Sequence, residues 1–372
     1  MKKFTVLSAT LLLAVGLAAC GNAGDSSNKD SSSKTVTSSS TSTKKTTKMT
    51  INTGADADAT VPGAGTLIMR QLYAAPHGTQ SFAAVNVTLN GDTIVAARID
   101  EFQYVDKSAD WTGVPNSDSD FGKNYPSGKF LIAKLENSKA YSALMTKEAK
   151  ATKTWQESAT AIENYAKGKT IDELKAALPT VKSAKKVGDV VSGATFADTY
   201  GYLSAIYDAA TTGMVSTGIA TTDNTITEGQ VLAAPHGKQS FATVTVAMQG
   251  DKVAATFVDE FQYTPAATFG AVPNSDKDFG KDIKAGTVLA SKRANSDAYS
   301  ALMKKEAKAT HTWTENAIAI NDFAKGKTIA ELEAAVASLK GKSKVADVVS
   351  GATFVDTAGY LTAVIEAAKA AQ

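Results

Sequence analysis

The sequence predicts an α+β fold made of two tandem homologous domains, each a small antiparallel sheet packed with helices, after a disordered N-terminal tether. Three observations indicate this fold. Long stretches of the chain recur once, in the same order. Each copy begins with β-type apolar runs and continues with helical periodicity. The segment ahead of the first copy contains very few apolar residues, so it cannot offset the entropy of ordering.

The N-terminus reads MKKFTVLSATLLLAVGLAAC and has the features of a signal peptide over residues 1–19. Lys2 and Lys3 are basic, and the apolar run after them is too short to span a bilayer comfortably. Leu17-Ala18-Ala19-Cys20 matches the bacterial lipobox, whose cysteine is acylated. A plain secretory signal with an incidental cysteine is the alternative. Because Cys20 is the sole cysteine, we expect lipidation there and a lipid anchor at the outer face of the cell membrane.

Residues 20–65 are rich in Ser, Thr and Lys, which predicts a disordered tether between the lipid and the folded domains. The formal net charge is +2, so the sequence gives no reason to expect nucleic acid as a partner. With one cysteine, the chain has no disulfide or cysteine metal site. It also lacks a CxxCH haem motif, an iron–sulfur cysteine set and a Rossmann glycine pattern.

The two copies share long identical stretches. AAPHGTQSFA at Ala74 returns as AAPHGKQSFA at Ala233, and YSALMTKEAKATKTW at Tyr141 returns as YSALMKKEAKATHTW at Tyr299. DEFQY and VPNSD-DFGK are repeated as well. These matches predict a first domain over 66–213, a linker over 214–226 and a second domain over 227–372. The linker is short and polar, which fits a flexible or a semi-rigid joint equally well.

Local patterns predict the elements of each copy in turn. Asn90-Gly91-Asp92, and Gln249-Gly250-Asp251 in the second copy, lie between apolar runs and predict hairpins. Helices should follow. The evidence for them is helical spacing from Trp155 to Tyr165 before Gly168, capping boxes at Thr170–Glu173 and Thr328–Glu331, and apolar spacing from Tyr200 to Tyr207.

The heptapeptide DVVSGAT occurs at Asp189–Thr195 and again at Asp347–Thr353. Its Ser-Gly-Ala residues are small, so the backbone can turn sharply and a ligand can approach closely. The threonine precedes the terminal helix, and free amides at a helix N-terminus favour an anion. The local prediction is therefore a phosphate at Thr195 and at Thr353. The alternative is a strand-to-helix turn in which Ser or Thr caps the helix.

Asp-x-x-Ser-Gly-Ala-Thr resembles the flavinylation motif of the FMN-binding domain family, which includes flavin-carrying subunits of sodium-pumping quinone reductase and of Rnf complexes. The resemblance implies two covalent FMN groups, each moved from FAD onto a threonine by a flavin transferase through a phosphoester bond. The modified residues would be Thr195 and Thr353. The rest of the motif would be Asp189, Ser192, Gly193 and Ala194, with Asp347, Ser350, Gly351 and Ala352. Many members have Ser or Thr two places later, where this chain has Ala197 and Val355, so secondary polar contacts would be lost.

A lipobox, a Ser/Thr/Lys-rich tether and two tandem domains are similar to a lipoprotein subgroup found in Gram-positive extracellular electron transfer. That similarity implies a membrane electron donor in a quinone or NADH dehydrogenase pathway and extracellular acceptors such as ferric iron. It also implies that the signal peptide could yield a peptide pheromone, independently of the folded domains.

The flavin ring would need an aromatic or apolar wall and a few polar contacts. Repeated residues that could supply them in the first copy are His77, Glu101, Tyr104 and Asn116. Their counterparts in the second copy are His236, Glu260, Tyr263 and Asn274. Each could instead be structural, as a turn former or part of the core.

Two other functions compete with an electron carrier. The first is a surface lipoprotein that binds a phosphorylated or flavin ligand without redox turnover, in which case Thr195 and Thr353 stay unmodified. The second is a hydrolase using Ser192 with His77 and Asp189, a set whose geometry the sequence does not establish.

Overall fold

Two antiparallel sheets form the framework of this computed structural model, which describes residues 47–49, 63–339 and 344–372. The first sheet has the order β1-β2-β3-β4-β5, with β6 also paired to β2. The second has the order β10-β9-β8-β7. The strands are β1 Thr47–Lys48, β2 Thr66–Ala75, β3 Ser81–Asn90, β4 Thr93–Asp106, β5 Lys129–Ala133, β6 Met214–Ala220, β7 Thr227–Ala233, β8 Ser240–Gln249, β9 Lys252–Pro265 and β10 Thr287–Ser291.

Both predicted hairpins are confirmed. Asn90 pairs with Thr93 across a two-residue turn, and Gln249 pairs with Lys252 in the second repeat. Gly91 has φ +62°, a left-handed conformation that glycine adopts without steric cost.

Eight α-helices lie in the described ranges, four in each repeat. The capping box at Thr170 is confirmed: its hydroxyl accepts from the Glu173 amide, and the Glu173 carboxylate accepts from the Thr170 amide. The same pair of bonds joins Thr328 and Glu331. The helices are α1 Ser138–Ala149, α2 Trp155–Ala166, α3 Ile171–Ser183, α4 Thr199–Thr212, α5 Ser296–Ala307, α6 Trp313–Ala324, α7 Ile329–Leu339 and α8 Thr357–Ala370.

The structure describes two short parts of the predicted tether over 20–65, namely 47–49 and 63–65. Thr47 and Lys48 form β1 against Ala75 and Ala74, and Met49 is 5% exposed within the core. Pairing with a free sheet edge and burial of one apolar side chain explain why composition alone does not reveal this strand. The signal peptide over 1–19, Cys20 and residues 21–46 and 50–62 of the tether lie outside the described residues.

The segment predicted as a linker over 214–226 contains β6, which extends the first sheet along β2. Two side chains of the second repeat bind it: Arg293 Nη2 donates to the Val215 carbonyl at 2.6 Å, and Asn321 Nδ2 donates to Ser216 Oγ at 2.9 Å. Met214 is fully buried. The first half of this segment is therefore a strand held by both repeats rather than a free joint.

The two repeats share an aromatic core, and all described residues belong to one compact unit spanning 45–372. The rings of Phe82 and Phe261 are 5.7 Å apart, as are those of Phe102 and Phe241. Backbone bonds across the interface are reciprocal: the Phe121 amide donates to the Lys238 carbonyl, and the Phe279 amide donates to the Thr79 carbonyl. The repeats thus pack together with approximate two-fold symmetry. Within the described ranges, no helix combines the length and apolarity needed to cross a bilayer.

Candidate functional site

The DVVSGAT turn presents its threonine at the protein surface. A short 3₁₀ turn, Val187–Asp189, leads into it, and the buried side chains of Val191 and Ala194 fix it to the core. Gly193 has φ +88°, and a Cβ there would lie 3.2 Å from Ala161 Cβ, so glycine is needed. Thr195 is exposed, and Thr353 is exposed in the same turn of the second repeat.

The terminal helix does not begin at the motif threonine. Helix α4 begins at Thr199, four positions beyond Thr195, and Asp198 is its N-cap residue. The Asp198 side chain makes no capping hydrogen bond to the helix amides. Because the helix begins four positions after the motif threonine, its free N-terminal amides do not support the phosphate predicted at Thr195. Nor does Thr195 act as a helix cap.

The N-cap aspartate of each terminal helix pairs with the repeated histidine. His77 Nδ1 lies 2.7 Å from Asp198 Oδ2, and His236 Nδ1 lies 2.7 Å from Asp356 Oδ2. Each histidine side chain is about half exposed. The pair fixes the position of the imidazole.

A cavity of about 480 Å³ lies beside Thr353; we call it the Thr353 cavity. Its apolar wall includes Leu302, Met303, Trp313, Phe354 and Val355, and its polar groups include His236, Asp356, Lys292 and Lys308. Val355 is 87% exposed, the largest exposure among the large apolar side chains in the described ranges. An apolar wall with a few polar groups is typical of a small-molecule site.

Three aromatic rings form one side of this cavity. The ring centroid of Phe354 lies 6.0 Å from that of Trp313 and 5.5 Å from that of Tyr360. Trp313 and Tyr360 are almost fully buried, so their packing holds the Phe354 side chain in place.

A buried charge pair lies next to the cavity, and its lysine is one of the lining residues. Lys292 Nζ lies 3.2 Å from Glu260 Oε2, and Glu260 also accepts hydrogen bonds from the hydroxyls of Tyr360 and Ser240. Lys292 Nζ also sits 4.6 Å from the centre of the Tyr299 ring. Glu260 is itself inaccessible, so it acts by positioning Lys292 and Tyr360 rather than by the direct cofactor contact that the sequence suggested.

The first repeat carries the same network. Lys134 Nζ lies 2.7 Å from Glu101 Oε1, and Tyr202 and Ser81 donate to the same carboxylate. Burial alone would raise the pKa of Glu101, but the charges of Lys134 and His77 outweigh it and hold that pKa below its usual value. Burial would lower the pKa of Lys134, yet Glu101 keeps it above its ordinary value. The pair is therefore ionised at neutral pH, and Glu101, like Glu260, is fully buried.

Each residue around the Thr353 cavity has an identical counterpart in the first repeat, except that Val355 aligns with Ala197. The aromatic spacing is also the same: Phe196 lies 6.0 Å from Trp155 and 5.5 Å from Tyr202. The residues and the aromatic packing found beside Thr353 therefore recur beside Thr195.

Four residues expected at the cofactor lie at the interface between the repeats instead. Asn116 Nδ2 donates to the carbonyls of Gly237 and Ser240, and Asn274 Nδ2 donates to those of Gly78 and Ser81. The hydroxyls of Tyr104 and Tyr263 are hydrogen-bonded to each other. These side chains hold the two repeats together.

The remaining motif residues are arranged around the turn. Asp189, Ser192, Asp347 and Ser350 are exposed, and Ser192 and Gly193 border a surface depression on the opposite side of α2 with Glu157 and Tyr165. His77 pairs with Asp198, so the described structure does not assemble Ser192, His77 and Asp189 into a hydrolase triad.

Sequence reasoning missed one residue behind each motif threonine. Ser158 Oγ lies 2.9 Å from Thr195 Oγ1, whereas Asn316 Oδ1 takes the equivalent place beside Thr353. Aligning the two copies of this helix, WQESATAI and WTENAIAI, shows the Ser-to-Asn difference. Lys134 and Tyr202 also recur unchanged in the second copy, as Lys292 and Tyr360. This repetition was a second sequence signal that could have identified them.

Comparison with known proteins identifies no relative. No protein family matches the chain, and neither a curated protein nor a solved structure is significantly similar to it. Across the part of the chain that the structure describes, no cluster of three or more His, Cys, Asp or Glu residues could hold a metal ion.

Proposed function

We propose that this chain is a lipid-anchored electron carrier with one FMN esterified to Thr195 and another to Thr353. It would work at the outer face of the cell membrane, between a quinone or NADH dehydrogenase pathway and extracellular acceptors such as ferric iron. One observation carries the proposal: the exposed threonine of a flavinylation-like motif borders a cavity with an aromatic and apolar wall.

The residues beside Thr353 fit a flat aromatic group attached through a phosphate. The cavity volume of about 480 Å³ lies within the usual range for small-molecule sites, roughly 300–1,000 Å³. Two apolar residues that line the cavity are exposed to solvent, Val355 by 87% and Leu302 by 37%. A flavin ring lying over them would cover this apolar surface. Lys308 also borders the cavity and supplies positive charge for a phosphate.

Bound FMN would supply the one- and two-electron chemistry that the protein's own side chains lack. The protein's part is to attach and orient. Trp313 and Phe354 exclude water from one side of the cavity. The Glu260 carboxylate, which pairs with Lys292, accepts the hydrogen bond that keeps Tyr360 in place. The imidazole of His236, paired with Asp356, can hold or release a proton at the cavity edge. A covalent bond would also prevent loss of the cofactor outside the cell.

Intact mass tests this proposal. The chain would be co-expressed with an exported flavin transferase, and its mass and in-gel flavin fluorescence after denaturation would be measured. We expect two FMN increments, which disappear in the T195V, T353V double variant. The matched control is T152V, T310V, which alters exposed threonines near the same sites and should keep both increments.

An unmodified mass despite an active transferase would contradict the electron-carrier proposal. In that case the ligand-binding lipoprotein would be the better account, since the same cavity could hold a free phosphorylated ligand.

A further inference from the structure

We infer that the residue at position 158 of the first repeat, and 316 of the second, sets the order in which the two threonines are modified, with Thr195 reacting faster than Thr353. The inference rests on the proposed function. Positions 158 and 316 are equivalent in the two repeats, and the side chain at each contacts the hydroxyl of its motif threonine. The first repeat has serine at this position and the second has asparagine.

In the second repeat, Asn316 accepts three hydrogen bonds, two from the motif threonine and one from the residue after it. Its Oδ1 accepts from the amide of Thr353 at 2.5 Å, from the amide of Phe354 at 3.0 Å and from Thr353 Oγ1 at 3.1 Å. Its Nδ2 donates to the Thr312 carbonyl at 2.9 Å, which fixes the orientation of the side-chain amide. Asn316 is fully buried, so this arrangement is part of the packed fold.

In the first repeat, Ser158 makes a weaker attachment. Its hydroxyl lies 2.9 Å from Thr195 Oγ1, and either oxygen can be the donor. Among the described residues, no acceptor is hydrogen-bonded to the amides of Thr195 or Phe196. Ser158 is also fully buried, so the two copies differ in chemistry rather than in access.

The transfer reaction is sensitive to this difference. Threonine Oγ attacks the FMN phosphorus of FAD and forms a new O–P bond. The bond from that phosphorus to the bridging oxygen of the diphosphate breaks, and AMP leaves with the bridging oxygen. The threonine proton passes to a base on the transferase. At Thr353 this proton is the one donated to Asn316 Oδ1, so a hydrogen bond is lost.

The product is also less well stabilised in the second repeat. A phosphoester carries negative charge and needs hydrogen-bond donors. At Thr353 the two nearby amides already donate to Asn316, and Asn316 Oδ1 is an acceptor facing the ester oxygen. At Thr195 the Ser158 hydroxyl can turn to donate, and the two amides can bind phosphate oxygens.

A time course with purified full-length chain, FAD and flavin transferase tests the inference, with the FMN content of each threonine read by peptide mass spectrometry. We expect Thr353 to be modified about tenfold more slowly than Thr195, the effect of about one net hydrogen bond. N316S should bring Thr353 close to the rate of Thr195, and S158N should slow Thr195. The double exchange should reverse the order.

Equal rates in the wild type that neither exchange alters would overturn this inference while leaving the proposed function intact. A lack of FMN on both threonines would instead overturn the proposed function. Melting temperatures of all variants check folding, and because the exchanges lie in different repeats, S158N tests the inference even if N316S fails to fold.

Discussion

Replacing Lys134 by methionine is expected to destabilise the chain by about 3–5 kcal/mol, because it leaves the buried carboxylate of Glu101 without its counter-ion. The pKa of Glu101 is held below its ordinary value chiefly by Lys134, so the charge persists at neutral pH. The substitution also removes the ammonium group 4.4 Å from the centre of the Tyr141 ring. Methionine keeps most of the side-chain volume, which limits any cavity.

Urea unfolding followed by tryptophan fluorescence measures this loss. The matched control is K129M, which breaks the solvent-exposed pair of Lys129 with Asp106 and should cost at most about 1 kcal/mol. If K134M were no more destabilising than K129M, the Glu101–Lys134 pair would not be the ionised support of the site that we describe.

Phe261→Ala is expected to cost about 3–5 kcal/mol and to destabilise both repeats, although Phe261 belongs to the second. Its ring lies 5.0 Å from Tyr73, 5.7 Å from Phe82 and 6.0 Å from Phe102, all in the first repeat. Because the aromatic core is shared, loss of this ring leaves a cavity that neither repeat can fill alone.

Buried tryptophans in each repeat report the effect separately. Trp155 lies in the first repeat and Trp313 in the second. Two reporter variants are therefore made, each of which retains only one of these two tryptophans and has Trp111 replaced by phenylalanine. Both probes should show the same midpoint, and F261A should lower both equally. F269A, in a smaller cluster of the second repeat around Tyr299, is the control and should cost less. Two separate transitions in the wild type would contradict a shared core.

Local chemistry made much of the fold predictable. Asn90-Gly91-Asp92 and Thr170–Glu173 each specify a turn or cap through bonds among neighbouring residues, and the structure contains both. The β6 strand was missed because its partners are distant: it depends on β2 and on Arg293, which no local pattern reveals.

Repetition was a poor guide to which residues lie around the motif threonines. An approximately symmetric interface requires the same side chains twice, as a pair of ligand sites does. Tyr104 and Tyr263, and Asn116 and Asn274, are repeated because they bind the two repeats to each other. His77 and His236 lie beside the motif turns, since each pairs with the aspartate three residues after the threonine, and their contact with a flavin stays a prediction.

A reductive titration tests the central claim most directly. The full-length chain loaded by the transferase would be reduced without oxygen, its electron uptake measured, and ferric citrate then added. We predict two electrons for each flavin, half the total uptake in T353V, and rapid reoxidation by ferric iron. A loaded chain that takes up no electrons reversibly, or that ferric iron cannot reoxidise, would contradict the account of an electron carrier.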